Sequence, residues 1–146
     1  MACFLGANHG GEISLGANMT SLAFSLSRAF ARLFQPGDEV LITQLDHEGN
    51  RGPWLALREK GIIVREVRLL PEGRLDYEDF ESKINERTRL VAVGFSSNIL
   101  GTVNDLKKTA MYQIKYDQMR LRIIHKFPYT IHYIINEENK TIIERL

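Results

Sequence analysis

Three short polar segments carry residue types that can do chemistry. Gly16-Ala17-Asn18 runs straight into a helical pattern. The first turn of a helix leaves N–H groups without intrahelical partners, and the aligned peptide dipoles add positive potential, so such a start can hold a phosphate. A plain capped helix start reads the same way. Asp46-His47-Glu48-Gly49-Asn50 follows an apolar run. A histidine there can stack on an aromatic ring, or simply bond a neighbouring carbonyl. Asp46, His47 and Glu48 also carry metal-ligand atoms, but a closed site needs three or four ligands on facing elements, and no further ligand stands at useful spacing. No metal is expected. Ser96-Ser97-Asn98 closes a third apolar run. Three polar segments that each end an apolar run suggest a shared phosphate or cofactor site.

The elements that must position these segments alternate. Glu12 to Leu15 reads as a short strand. Met19, Leu22, Ala23, Leu26, Ala29, Phe30 and Leu33 recur at spacings of three and four, one apolar helical face, with Asn18 as its N-cap and Pro36-Gly37-Asp38 as its stop. Glu39–Thr43 reads as a buried strand, Pro53–Lys60 as a helix closed by Gly61, and Ile62–Val67 as a strand rich in β-branched residues. Asp76–Ile84 reads as a helix capped by Asp76, and Leu90–Phe95 as a strand apolar at nearly every position. Near-continuous apolar strands between helices predict an α/β fold, with a sheet covered on both faces and right-handed crossovers.

Beyond Lys108 the pattern changes. Ala110–Met119 has helical character. Leu121–Lys126, Thr130–Ile135 and Thr141–Ile143 are strand-like, with a polar turn at Asn136–Lys140 and no helices between them. An antiparallel hairpin segment is expected there.

Composition bounds the rest. The 146 residues are 44% hydrophobic and 25% charged, an ordinary globular balance, and the formal net charge is +1. Nucleic-acid binding draws on clustered positive charge, so it is not expected. No apolar run approaches the ~20 residues of a membrane span. Cys3 is the single cysteine, so no internal disulfide can form. With no basic-then-apolar leader at the N-terminus, a cytoplasmic protein without membrane attachment is expected.

Five motifs in register carry a resemblance. They are Gly16-Ala17-Asn18-Met19-Thr20, Pro36-Gly37-Asp38-Glu39-Val40, Leu45 through Trp54, Glu86 through Val93, and Ser97-Asn98-Ile99-Leu100-Gly101-Thr102. Over roughly residues 2–107 this resembles the large domain of cysteine desulfurase-like, class V aminotransferase enzymes, which are fold-type I proteins dependent on pyridoxal phosphate. The resemblance implies cofactor-phosphate binding by Asn18 with the backbone of Ala17 and Met19. Relatives with a Thr-Thr pair there supply hydroxyls that this chain replaces. It implies that His47 stacks on the pyridine ring and that Asn98 lies near the phenolic oxygen. Pro53 and Trp54 match scaffold positions.

The family's pyridine-binding aspartate and its cofactor-binding lysine come later than Lys107, where the likeness stops. No catalytic residue is therefore assigned, and the chain is expected to be a truncated or fused relative without independent catalysis. His125-Lys126 reproduces the family's His-Lys pair, but too soon after Asn98, and Phe127-Pro128-Tyr129 follows in place of Gly-Pro. The segment 120–146, with Phe-Pro-Tyr between two strands, resembles part of the sheet of RelE/ParE-type toxins. The alternative it implies is a toxin–antitoxin-like binding module. The expected organisation is a partial transferase-like large domain over 1–107, a linker or short helix over 108–119, and a hairpin tail over 120–146. A partial sheet leaves strand edges open, so self-association is expected.

Overall fold

The computed structural model describes residues 9–105 and the backbone of 119–123, 130–136 and 141–143. Helix α1 spans Met19–Phe30, strand β1 Glu39–Thr43, helix α2 Glu48–Leu55, strand β2 Ile63–Val67, helix α3 Tyr77–Lys83 and strand β3 Thr88–Val91. A 3-10 stretch, Ala56–Lys60, continues α2 and ends at Gly61, whose φ of 78° lies in the left-handed region that glycine enters without steric cost.

The three strands form a parallel sheet in the order β2-β1-β3. β1 is central and buried at every position. Its side chains alternate between two cores, as the strand period of two requires. Val40 and Ile42 pack with Phe30, Trp54, Leu57, Ile62, Val64, Leu90 and Ala92, on the face covered by α1 and α2. Leu41 packs with Val67, Leu75, Phe80, Val91 and Val93, on the face covered by α3. Each Val, Leu, Ile or Phe among them contributes about 1.5–3 kcal/mol by leaving water. The expected α/β layering is present.

At the edge where the strands begin, Glu39 is buried and accepts two bonds from Arg65, at 2.6 and 2.9 Å, and one from Asn85 at 2.8 Å. That ties β1 to β2 and to the loop before β3.

Several element bounds differ from the sequence reading. Glu12–Leu15 is not a paired strand: Gly10–Glu12 is a 3-10 turn, and Ile13 continues extended with no strand partner among the described residues. α1 stops at Phe30 rather than Leu33. Its buried stripe is Ala23, Ser27 and Phe30, while Met19 is 44% and Leu33 63% exposed. Ser27 can take a core position because its hydroxyl donates to the Phe24 carbonyl at 3.0 Å. α2 starts five residues before Pro53, because His47 supplies its cap. β3 ends at Val91 rather than Phe95, for a reason given below.

The tail strands β4 (Met119–Ile123), β5 (Thr130–Asn136) and β6 (Thr141–Ile143) form an antiparallel sheet in the order β4-β5-β6. Arg122 stands opposite Ile131 and Ile135 opposite Ile142. This is the expected meander. Met119, read as a helix end, opens β4. Cys3, residues 110–118, Lys126 and Phe127-Pro128-Tyr129 lie outside the described residues.

Candidate functional site

All three strands of the parallel sheet run the same way, so their C-terminal ends share one edge. From β1 the chain crosses through α2 to β2 on one side. It then crosses through α3 to β3 on the other side. The strand order therefore reverses between β1 and β3. Neighbouring connections leave in opposite directions at such a point, and a crevice opens where ligands bind in α/β folds.

The β1–β3 ladder ends early. Its last pairing is Leu41 with Val91, where the Ala92 N–H donates to the Leu41 carbonyl at 2.8 Å. Beyond that, a side chain replaces the ladder. Oδ1 of Asp46 accepts from the Gly94 N–H at 2.7 Å and from Nδ2 of Asn50 at 2.9 Å. Oδ2 accepts from the Thr43 hydroxyl. The Gly94 N–H is thus turned from the strand ladder to the carboxylate, which is why β3 ends before the apolar run does. Gly94 is needed here, since a Cβ at this position would stand 2.7 Å from Oδ1 of Asp46. On its other side the Gly94 carbonyl accepts from Nδ2 of Asn104 at 2.7 Å, and Asn104 is buried. Burial pushes the Asp46 carboxyl above the ordinary aspartate range, against the pull of its hydrogen bonds from Thr43, Asn50 and Gly94 and of the nearby Arg51 charge.

His47 follows directly and caps α2. Its Nδ1 accepts from the Gly49 N–H at 3.0 Å, which puts the proton of the uncharged ring on Nε2. The residue is exposed. Gly49 is buried where α2 meets the start of α1. A Cβ there would lie 2.8 Å from Thr20 Oγ1, 3.2 Å from His47 Nδ1 and 3.6 Å from Met19 Cε. The first turn of α1 and the His47 ring therefore meet at one glycine.

Asn18 caps α1, its Oδ1 accepting from the Ser21 N–H at 2.9 Å. With that oxygen committed, the amides at the open end of this twelve-residue helix are the groups it can offer an anion. Ala17, Asn18 and Met19 are all exposed. Asn98 is exposed on a turn after β3. Ser97 organises this turn: it is buried, its Oγ accepts from the Ile99 and Leu100 N–H groups at 3.3 and 3.1 Å, and its carbonyl accepts from the Gly101 N–H. The Thr102 hydroxyl fastens the turn to the Gly73 carbonyl at 3.3 Å.

The structure thus brings Met19 and His47 to Gly49. It also ties Asp46, the neighbour of His47, to the segment that leads to Asn98. Sequence reasoning missed Gly94 and Asn104, and took Asp46 only as a metal-ligand type. A glycine inside an otherwise apolar run, Val91-Ala92-Val93-Gly94-Phe95, was the available signal, because it marks a close backbone approach. Among the described residues no three of His, Cys, Asp or Glu gather into a metal-binding group, and no helix is long and apolar enough to cross a membrane.

Residues 1–120 match the family described as aminotransferase class-V. The chain is 38% identical over 109 residues to a cysteine desulfurase of Pectobacterium atrosepticum, covering 73% of this chain and 27% of that protein. It is 41% identical over 102 residues to an aminotransferase-like protein of Gibberella zeae, covering 68% and 25%. Its fold superposes on the cysteine desulfurase CsdA of Escherichia coli with a TM-score of 0.70 at 25% identity, over 78% of this chain and 29% of that one. The cysteine desulfurase of Thermococcus onnurineus gives 0.69 at 28% identity, over 78% and 28%. The chain therefore spans about a quarter of the length of the curated relatives it matches.

Proposed function

The chain belongs to the aminotransferase class-V family, and on that premise we propose that it carries the phosphate- and ring-cradling part of a pyridoxal phosphate site of the cysteine desulfurase kind, without independent catalysis. The observation behind this reading is the meeting of the α1 start with His47 at Gly49, beside the crevice between β1 and β3. The groups fit the cofactor. The α1 start presents backbone N–H groups at Ala17, Asn18 and Met19 to a phosphate. The exposed His47, held by the Gly49 amide through Nδ1, has a ring face to offer an aromatic partner. Asn98 supplies an amide on the neighbouring loop. When bound, pyridoxal phosphate supplies an electron sink.

What the described site lacks is a lysine. Lys60 lies just before β2, at the opposite edge of the sheet. Lys83 is committed to Asp79 and the Glu66 carbonyl, each at 2.6 Å. The site residues can hold and orient a ring without binding it covalently. The hairpin tail has no role in this reading. Self-association is part of it: among the described residues β2 and β3 are the edge strands of the parallel sheet, and since side chains of Arg58 and Lys83 bond the outward carbonyls of Val64 and Glu66 on β2, the β3 edge is the one proposed to pair.

Equilibrium dialysis against pyridoxal phosphate tests the proposal, followed by borohydride reduction and mass spectrometry. The expected result is reversible uptake, displaced by inorganic phosphate, with no reduced adduct on any lysine. An adduct on Lys126 or another lysine overturns the absence of covalent chemistry. No uptake at all overturns the cradle.

A further inference from the structure

We infer that Asp46 is a positioning residue, whose carboxylate fixes the width of the β1–β3 crevice and so the placement of His47 relative to the loop that carries Asn98. This rests on the cofactor-cradle reading and deepens it. Four observations carry it together. The regular ladder stops at Leu41 and Val91, so nothing in the sheet itself holds the two strand ends in register beyond that point. Asp46 then spans the gap, with Oδ1 on the Gly94 N–H at 2.7 Å and on Asn50 of α2 at 2.9 Å, and with Oδ2 on Thr43 of β1. Gly94 is gripped from both sides, because its carbonyl accepts from the buried Asn104 at 2.7 Å. Finally, Gly94 leaves no room for a side chain at the contact.

One carboxylate therefore connects β1, α2 and the segment after β3. Its direct neighbour in the chain, His47, caps that same α2. With all three donors coming from the protein, Asp46 does not reach for a ligand. It acts through the backbone on both sides of the crevice. A half-buried carboxylate costs solvation, and three donors offset that cost. An apolar residue would hold the core as well without that cost, but it could not accept from the Gly94 amide. The ion-to-amide contact sets a length, where apolar packing sets only a volume.

The test compares wild type with Asp46→Ala and Asp46→Asn. The asparagine keeps an oxygen for Gly94 and Asn50 and turns its amide to the Thr43 hydroxyl, which can accept. Hydrogen exchange at the Gly94 amide, read by NMR on the ligand-free chain, reports the latch itself. Dialysis reports affinity for pyridoxal phosphate and, separately, for inorganic phosphate. Asp46→Ala is expected to speed Gly94 exchange at least about tenfold more than it speeds exchange at Val40 in the core, the loss of one amide bond. It is expected to weaken pyridoxal phosphate by a similar factor while leaving inorganic phosphate within about twofold, and Asp46→Asn is expected to restore both. Unchanged Gly94 exchange in Asp46→Ala overturns the inference. So does an equal loss for inorganic phosphate, which marks general damage rather than misplacement of the ring contacts. If wild type takes up no pyridoxal phosphate, the cradle reading falls, and the Gly94 exchange still decides on the latch.

Discussion

Substituting Gly94 by alanine tests the crevice geometry at its tightest point. The added methyl carbon would stand 2.7 Å from Oδ1 of Asp46, an approach that real Cβ atoms essentially never make. The carboxylate cannot swing aside freely, because Thr43 holds its second oxygen and Asn50 shares the first. It must retreat, and the bond from the Gly94 N–H is lost with it. A hydrogen bond to a charged acceptor is worth about 1.5–3 kcal/mol. Replacing glycine stabilises by about 0.4–1 kcal/mol through the unfolded chain, where the backbone is compatible. The net loss is therefore about 0.5–2.6 kcal/mol.

Urea unfolding at neutral pH, followed through the fluorescence of the single, buried Trp54, measures it. A double-mutant cycle isolates the cause. In an Asp46→Ala background the methyl has no carboxylate to meet, so Gly94→Ala should cost no more than about 0.5 kcal/mol there. A loss below about 0.5 kcal/mol in wild type, or the same loss in both backgrounds, refutes the reasoning.

Acidity should reveal two opposed carboxylate classes. For Asp79, burial pushes upward but is outweighed by hydrogen bonds from Lys83 and the Arg68 N–H and by those two charges, so its pKa is lowered; its stabilisation is present above the ordinary aspartate value and is lost as pH falls through the lowered one. Asp46 is raised by burial, so stability falls as pH climbs from the ordinary aspartate value through the raised one; Asp46→Asn should flatten that upper limb and Asp79→Asn the lower limb of stability against pH. Arg65→Ala should cost about 2 kcal/mol in urea unfolding, since Glu39 is left buried with Asn85 alone; the value lies below that of a fully buried pair because the Arg65 side chain is 43% exposed. His47→Ala removes the α2 cap and should lower stability by about 0.5–2 kcal/mol, while His47→Asn should recover most of it. Neither variant should recover pyridoxal phosphate uptake in dialysis, because neither carries the ring.

The layering was legible because β1 and β3 are apolar on both faces and sit between helical patterns, a combination only a covered parallel sheet satisfies. The capping residues Asn18 and Asp76 were legible for a local reason: a side-chain oxygen reaches an amide three residues on, as both do here. What failed was partly local, at Ser27 and His47, and partly non-local, at the end of β3 and the meeting of the site groups. The α1 face was read from apolarity, and Ser27 entered the core because its hydroxyl bonds its own helix. The start of α2 was placed at Pro53 because histidine is not among the preferred caps. The end of β3 hides in an apolar run, since its stop is set by Asp46, distant in sequence. For the site, His47 and the α1 start were named as types, but their meeting at Gly49 depends on how two helices pack, and spacing along the chain does not encode that.

The central place of β1 has a consequence for how the chain comes together in time. Both of its neighbours are separated from it by a crossover helix, so no nearby turn can deliver a partner. During synthesis β1 emerges with both backbone edges bare and with Leu41 facing a core whose members, Val91 and Val93 among them, do not yet exist. Pairings that close long loops form late, and chains that wait on them expose sticky surface meanwhile. Of the three described strands of the parallel sheet, the one that borders the crevice is thus made before its partners and is secured on both edges only once β3 arrives.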